Sequence, residues 1–508
     1  MKRFFIYTLI CSLTALMGCD KNDEVMNDLA TTNGKKVTVT ANIQGDAATR
    51  VTLTPDTDES ENPIVKVDWN ESDETFNAYA DGAAESIIFT QIDGTNRFEG
   101  TLPETPAEYT LYYGAKDYDL SAQDGTLNEA YVLMQATATD FSTTIDFAHK
   151  TAILKPTFIK VDDAVLANNT ITKIVMEGIK KPSAETESGS ITVTPSALED
   201  IYIFLPAFES YTADHTFTFI VTADGQDYIA TLTIPNGKSI EAGKFYTAAI
   251  TIAAIPYLTF TAQGAQTFMM NINGEGGYTL HESLEYSVGG SAWTQLNAGA
   301  SITFGGAKGN LRLRGNSPTG TAKDDMDFSY IEFGNSTPVA CTGDIRTLVD
   351  WKDYENAVTS SARFIGLFFG CSDLTTAPAL PATSLADLCY TGMFRGCTSL
   401  TTAPALPATT LANSCYALMF YGCTSLATAP TLPATTLKDY CYQYMFYGCS
   451  ELNSITMLAT DISASDCLLR WVSDVAETGT FYKNSAATWN VTGNNGVPSG
   501  WDVEIVTP

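Results

Sequence analysis

The chain has 508 residues, of which 28 are Lys or Arg and 58 are Asp or Glu, so its formal net charge is −30. This acidity argues against nucleic acid as a partner, because affinity for a phosphate backbone comes from clustered Lys and Arg. With 44% hydrophobic and 11% aromatic residues the chain can build packed cores, which excludes wholesale disorder. The length corresponds to about three domains.

The first 18 residues have the pattern of a signal peptide. Lys2 and Arg3 precede an apolar run that is too short to span a bilayer, and the run ends in LMGC at residues 16–19. This ending resembles the lipobox of bacterial lipoproteins, which implies that Cys19 is acylated and becomes the first mature residue. An ordinary signal peptide with an incidental cysteine is the alternative.

The segment after Cys19 is polar and lacks periodicity, so residues 19–35 are expected to form a flexible tether. Its acidic start, residues 20–24, loosely resembles the surface-export signal of Bacteroidetes lipoproteins, which implies a lipid-anchored protein of the outer membrane exposed on the cell surface. No later segment offers about 18 uninterrupted apolar residues, so we expect the membrane to be a partner only through the lipid anchor.

Residues 36–255 read as β-structure. Apolar and polar residues alternate over short runs, the period of half-buried strands, and turn residues separate the runs. The clearest runs are Ile64–Trp69, Ile87–Thr90, Tyr109–Tyr113, Ile153–Ile159, Ile171–Met176, Thr216–Val221 and Tyr246–Ile252. The sequence therefore predicts two consecutive β-sandwiches, 36–150 and 151–255.

Four motifs in this half occur in a characteristic order: ATRVTLT (48–54), Trp69-x3-Asp73 leading into Phe76, FAHKTAILKP (147–156) and GKFYTAAITI (243–252). Together they resemble the fimbrillin family of type V pilus lipoproteins of Bacteroidetes. Ser72 stands where that family usually has glycine, so the turn there is expected to differ.

The fimbrillin resemblance implies an assembly mechanism. The precursor would be cut between Arg50 and Val51, the strand before the cut would leave, and a strand of another pilin subunit would fill the vacated groove by donor-strand exchange. Such an exchange satisfies unpaired backbone groups and an apolar trough at once. The alternative is that Arg50 is a surface residue at the start of a strand.

Residues 256–345 alternate again between apolar and polar residues and contain glycine-rich turns. They predict a small β-domain that acts as a spacer before the next region.

The region that follows, 346–475, carries a repeat with a step of 26 residues, for example CYTGMFRGCTSLTTAPALPATTLA (389–412) and CYALMFYGCTSLATAPTLPATTLK (415–438). A fixed step of this size predicts a solenoid in which each unit packs on its neighbours. The motif resembles the BspA-type leucine-rich repeats of bacterial surface proteins. Apolar residues four apart predict one short helix per unit, and 476–508 is expected to form a terminal cap.

Comparison of the repeat copies indicates which face is free. Tyr, Met and Phe are invariant at three positions of each full copy, whereas Arg395, Tyr421 and Tyr447 occupy one variable position. These three residues would form a column along the stack and are a candidate ligand face, because Tyr and Arg are enriched in binding hot spots. The alternative is an aromatic surface without a partner.

Eight repeat cysteines form two series with the 26-residue step. One interpretation pairs the second cysteine of each copy with the first cysteine of the next copy, which uses all eight in disulfides. The alternative is that they are stacked free thiols in the core. The candidate disulfides would join Cys371 to Cys389, Cys397 to Cys415, Cys423 to Cys441, and Cys449 to Cys467.

The sequence shows neither a zinc-ligand spacing nor a set of nucleophile and base, so we expect no metal, no cofactor and no enzymatic activity. The leading hypothesis is an accessory or tip subunit of a fimbrium that presents an adhesive repeat domain to a host protein or glycan. The alternative is a permanently lipid-anchored surface receptor for such a ligand, outside any pilus.

Overall fold

The computed structural model describes residues 35–43, 53–57, 63–67, 75–80, 87–91, 97–102, 108–113, 120–126, 134–138, 145–181, 184–196, 198–208, 211, 213–274, 278–359 and 362–507. The fold is mainly β. The chain divides after residue 254 into two compact units, which are described separately.

The strands of the first unit, numbered in chain order, are β1 (Lys35–Ile43), β2 (Leu53–Thr57), β3 (Pro63–Val67), β4 (Thr75–Ala80), β5 (Ile87–Gln91), β6 (Arg97–Leu102), β7 (Tyr109–Tyr113), β8 (Ala122–Gln123), β9 (Met134–Ala138), β10 (Ile145–His149), β11 (Thr151–Lys160), β12 (Ile171–Lys181), β13 (Ala184–Val193), β14 (Ile203–Pro206), β15 (His215–Ala223), β16 (Gln226–Ile234) and β17 (Phe245–Ala254). A short 3-10 helix covers Asn168–Thr170. Six of the seven alternating runs named above lie wholly on strands, which confirms those predictions, and β3 covers residues 64–67 of the remaining one.

The strands of the second unit are β18 (Leu258–Ala262), β19 (Gln266–Asn273), β20 (Glu285–Val288), β21 (Thr294–Gln295), β22 (Ile302–Phe304), β23 (Leu311–Arg314), β24 (Phe328–Phe333), β25 (Val339–Thr342), β26 (Leu374–Thr376), β27 (Ser454–Met457), β28 (Thr480–Asn484) and β29 (Asp502–Val506). Short 3-10 helices cover Gly306–Lys308, Ile345–Leu348 and Tyr354–Asn356.

A closed barrel with the strand order β1-β10-β9-β7-β4-β5-β6 forms the first part of unit one. It closes through β1, whose residues 35–40 pair antiparallel with β6 and whose residues 41–43 pair parallel with β10. The predicted N-terminal sandwich is therefore a sheet rolled on itself rather than two separate sheets, because β1 bridges the strands at both ends of the sheet.

The second part of unit one is an eight-stranded sheet with the order β14-β11-β17-β16-β15-β12-β13-β8. Strands β11 and β17 run parallel over residues 153–160 and 245–252, whereas β16 meets β17 only at two positions. The short strand β8 lies between two barrel strands in the sequence but pairs with β13 of this sheet. On β8 the buried Gln123 side chain accepts a hydrogen bond from the N–H of Phe204 and donates one to its carbonyl.

In unit two, a six-stranded sheet (β21-β20-β23-β18-β25-β26) and a three-stranded sheet (β22-β19-β24) precede the repeat. Strand β25 of the spacer pairs in parallel with β26 of the first repeat copy. One hydrophobic core runs from Leu258 through the repeat to Trp501, so the spacer and the repeat region pack as one continuous body.

Each repeat copy is one coil of a stack, and the first part of the coil, such as residues 414–422, is built of successive tight turns. The backbone is left-handed at every fourth residue, as at Ser414, Leu418 and Gly422 with φ of 55°, 58° and 73°. The N–H of Met419 bonds back to the carbonyl of Tyr416, while the N–H of Phe420 bonds to the carbonyl of Met445 in the next coil, at 3.2 and 2.9 Å. Alternate N–H groups thus serve the turn and the stack.

The predicted short helix per repeat is wrong. The spacing of four residues is real, but it marks successive turns, because a left-handed residue at every fourth position cannot continue an α-helix. Parallel bridges such as Thr376 to Thr402 and Ser384 to Thr410 connect the return segments of neighbouring coils.

Residues 476–507 extend the stack at its far end. Strands β27, β28 and β29 form a parallel ladder. Three tryptophan indoles each donate to a backbone carbonyl about one coil away: Trp471 to Gly496, Trp489 to Ala459 and Trp501 to Ala476. Within the described residues, no helix is long and apolar enough to cross a membrane.

Candidate functional site

The candidate site is the column formed by Phe369, Arg395, Tyr421 and Tyr447, here called the binding column. These residues recur with the 26-residue step, and each precedes a glycine with positive φ. The glycine N–H of one coil donates to the carbonyl of the column residue in the next coil, as from Gly396 to Tyr421 and from Gly422 to Tyr447 at 2.8 and 2.7 Å. The backbone ladder therefore fixes the spacing of the side chains.

The side chains of the binding column stack on one another. The rings of Tyr421 and Tyr447 are 4.8 Å apart and 4° from parallel. The guanidinium of Arg395 lies 5.0 Å from the Tyr421 ring and 5.5 Å from the Phe369 ring, so it is flanked by an aromatic ring on each side. Cation–π contacts of this kind hold a cationic side chain in place while its edge stays open to solvent.

The surface character of the column is clear from its exposure. Phe369 is 43% exposed, Arg395 is exposed, and Tyr421 and Tyr447 are half-buried. Within the part of the chain that the structure describes, no carboxylate lies within ion-pair distance of Arg395. The column thus offers a guanidinium whose hydrogen-bond donors are available to a ligand.

The last residue of the column is anchored by an acid. The Tyr447 hydroxyl donates a hydrogen bond to Asp474, and this bond together with the negative charge of Asp474 raises the pKa of Tyr447. The Tyr444 ring lies against Tyr447 with centroids 6.0 Å apart. Tyr447 is therefore held at one end of the column as a neutral phenol.

Sequence reasoning placed Arg395, Tyr421 and Tyr447 on a free face, and the structure brings these three together. It missed Phe369, which stands one 26-residue step before Arg395 in the degenerate first copy and could have been found by extending the step backwards. The copies also vary at a second position, Thr391, Ala417 and Gln443, which lies four residues before the column. Ala417 is 3% exposed, and Thr391 is half-buried with its hydroxyl donating to the Ser414 carbonyl.

The cysteines form two buried columns of free thiols. In one of them, Cys371, Cys397, Cys423 and Cys449 each donate to a backbone carbonyl at 3.0–3.2 Å. The structure has free thiols, as in the alternative, and the four candidate disulfides are not formed. These would have joined Cys371 to Cys389, Cys397 to Cys415, Cys423 to Cys441, and Cys449 to Cys467.

Burial keeps these thiols protonated. Desolvation raises the pKa of Cys415 and Cys449 to about 12 and that of Cys467 to about 11. A thiol is a nucleophile only as thiolate, so this environment makes the cysteines inert packing groups. Within the described residues, no group of three His, Cys, Asp or Glu side chains could hold a metal ion.

Two further predicted sites lie outside the described residues: the lipidation site Cys19 and the processing site Arg50–Val51. The strand that processing would release, β1, is described, and it takes part in closing the barrel.

No protein-family model matches the chain, and no curated protein matches it. Solved structures overlap part of it. A "putative cell adhesion protein" of Bacteroides ovatus is 15% identical and covers 44% of this chain and 96% of its own, with a TM-score of 0.26. A "putative cell adhesion protein" of Bacteroides uniformis is 12% identical and covers 43% of this chain and 96% of its own, with a TM-score of 0.25.

The pilus adhesin SpaC of Lactobacillus rhamnosus is 9% identical and covers 60% of this chain and 40% of its own, with a TM-score of 0.19. With TM-scores below 0.5, these similarities establish neither a fold nor a function for this chain.

Proposed function

We propose that this chain is a non-enzymatic, lipid-anchored surface protein that enters a fimbrium as an accessory or tip subunit and presents the binding column to a ligand. Assembly would follow cleavage between Arg50 and Val51. In this mechanism β1 leaves the barrel, and a strand from another pilin subunit takes its place.

The observation that carries the assembly step is the position of β1. It is the first described strand of the chain and the one through which the barrel closes. Its loss would uncover backbone hydrogen-bonding groups of β6 over residues 97–102 and of β10 over residues 145–147. An incoming strand would restore them, because unpaired strand edges recruit other strands.

The observation that carries the adhesive role is the stacking of the binding column on a hydrogen-bonded backbone ladder. Its side chains stack on each other, and its backbone is held by bonds between coils. A preorganised surface loses little conformational entropy when it binds a ligand.

The alternative is a permanently anchored surface receptor. It is favoured by the barrel being closed with β1 in place, since such a barrel needs no partner strand to satisfy its edges.

The N-terminus of the surface form, determined by mass spectrometry of protein released from cells, separates the two. Strand exchange predicts that the native surface form begins at Val51. It also predicts that an Arg50→Ala variant keeps residues 19–50 and does not enter fibres. An Asn42→Ala variant on β1, which leaves the cleavage sequence intact, serves as the control. A native surface form that begins at lipidated Cys19 would refute strand exchange and support the receptor.

A further inference from the structure

The stacking of the binding column determines which of its atoms a ligand can reach. Because the Tyr421 and Tyr447 rings are nearly parallel and 4.8 Å apart, each covers a face of the other. A ligand on the outer side therefore meets ring edges, phenolic hydroxyls and the edge of the Arg395 guanidinium. Such a surface is suited to hydrogen-bonding ligands and is poorly suited to stacking of a flat aromatic group.

The charge of the column favours an anionic group on the ligand. Arg395 is flanked by two rings and has no ion-pair partner within the described residues. The planar guanidinium presents a fork of N–H groups that matches a carboxylate or a sulfate. Although the whole chain is acidic, residues 371–450 hold three acids and two bases, so this region is nearly neutral, and the Asp474 carboxylate lies at the Tyr447 end of the column, two coils from Arg395.

The spacing of the column favours a polysaccharide over an extended peptide. Side chains on one face of an extended peptide recur every two residues, or about 6.6–6.8 Å. This spacing does not match the 4.8 Å between the Tyr421 and Tyr447 rings of neighbouring coils. A pyranose unit linked head to tail advances by about one coil spacing. Its hydroxyls can therefore meet successive column residues.

We infer that the binding column takes an acidic polysaccharide lying along the coil stack, with a carboxylate or sulfate on Arg395 and sugar hydroxyls hydrogen-bonded to Tyr421 and Tyr447. This inference rests on the adhesive part of the proposed function and is independent of strand exchange. It names the ligand class of the same surface.

The test measures binding of the full-length mature chain, immobilised on a biosensor, to four polymers: hyaluronan, which carries carboxylates; dextran sulfate, which carries sulfates; neutral dextran; and polyglutamate, an acidic peptide. We expect binding to hyaluronan or dextran sulfate that weakens as salt rises. Preference for the first assigns the carboxylate and preference for the second assigns the sulfate.

The decisive variant is Arg395→Gln, which removes the charge and keeps a hydrogen-bonding side chain. We expect it to weaken binding about tenfold or more, since it removes a charge-assisted hydrogen bond. Lys438→Gln is the matched control, because Lys438 is the other base of residues 371–450, is exposed, and is not part of the column. Tyr421→Phe keeps the stack and should weaken binding a few-fold by loss of one hydroxyl.

Four results would overturn the inference. One is the absence of binding to both anionic polysaccharides, and a second is equally strong binding to neutral dextran. Another is polyglutamate binding as tightly as the polysaccharides. The last is equal weakening by Arg395→Gln and Lys438→Gln, which would show general charge attraction. Since the N-terminus of the surface form is measured separately, failure of strand exchange and failure of this inference are distinguishable.

Discussion

Two columns of tyrosines run through the same coil stack and have opposite surroundings. Tyr390, Tyr416 and Tyr442 are nearly fully buried and stack with ring centroids 5.9 and 6.1 Å apart. Tyr421 and Tyr447 belong to the exposed binding column, where the ring separation is 4.8 Å. The backbone ladder repeats both columns, so the repetition itself does not distinguish packing from function. Burial does, because it limits which side chains a position accepts.

The difference is also visible in sequence. The buried column keeps Tyr in all three full copies, whereas the exposed column has Arg in one copy and Tyr in two. A stacked contact needs only a flat group, which a guanidinium supplies as well as a ring does. The exposed column can therefore vary while it keeps its geometry.

The largest expected effect concerns the ionisation of the buried columns. The thiols of Cys415 and Cys449 have pKa values raised to about 12, and burial raises the pKa of Tyr442 as well. Unfolded thiols lose their protons near pH 9, before the folded ones do. The contribution of these groups to the free energy of unfolding should therefore be constant up to about pH 9 and fall as the pH rises from about 9 towards 12.

Urea denaturation at a series of pH values measures this effect. A thiol reagent added at about pH 8 provides the control, since it should label the repeat cysteines only after unfolding. An unfolding free energy that stays level up to about pH 11 would contradict the buried columns.

The second effect separates the two columns by mutation. Tyr416→Ala should lower the free energy of unfolding by about 3–5 kcal/mol, because it leaves a cavity in a packed column. Tyr421→Ala, five residues later in the same coil, is the matched variant and should cost about 1 kcal/mol, mostly the lost ring contact. Urea denaturation compares them, and equal losses would show that the two columns are equally structural.

A smaller effect tests the glycines that space the binding column. Gly422 has φ of 73°, a conformation that disfavours any other residue. Gly422→Ala should cost about 1–2 kcal/mol of unfolding free energy through backbone strain. A steric clash does not add to this cost, because the new Cβ would lie 4.0 Å from the nearest atom. The exposed Thr424→Ala should change the unfolding free energy by less than about 0.5 kcal/mol. A neutral Gly422→Ala would mean that the turn is not left-handed.

The smallest effect concerns the end of the binding column. Asp474 accepts the Tyr447 hydroxyl and raises the pKa of Tyr447. In Asp474→Asn that pKa should fall towards the ordinary tyrosine value, because the negative charge is gone. The tyrosinate absorbance of each chain, minus that of its Tyr447→Phe counterpart, reports the titration. Glu451→Gln, an exposed substitution elsewhere in the coil, should leave the titration unchanged.

Much of the fold could be predicted from local pattern. Alternation of apolar and polar residues located the strands of the first unit, since a half-buried strand imposes a period of two. The 26-residue step located the stack and aligned Arg395, Tyr421 and Tyr447 without any knowledge of the coil conformation. These features depend on residues close in sequence or on exact repetition.

The coil conformation could not be predicted in the same way. Residues four apart suggested a helix, yet Leu418 and Tyr444 are left-handed with φ of 58° and 53°. Isolated chains avoid this conformation for such residues. It is accepted here because alternate N–H groups bond to the neighbouring coil, a partner that no single repeat possesses.

By itself, the sequence determined where strands form, how long the repeat is and which positions vary, because these follow from periodicity and from comparison of copies. Only the tertiary structure decided that β1 bridges β6 and β10, that the coils are built of left-handed turns, and that the cysteines remain separate thiols. Those outcomes depend on contacts between residues distant in sequence, whose partners are fixed only when the strands and coils pack together.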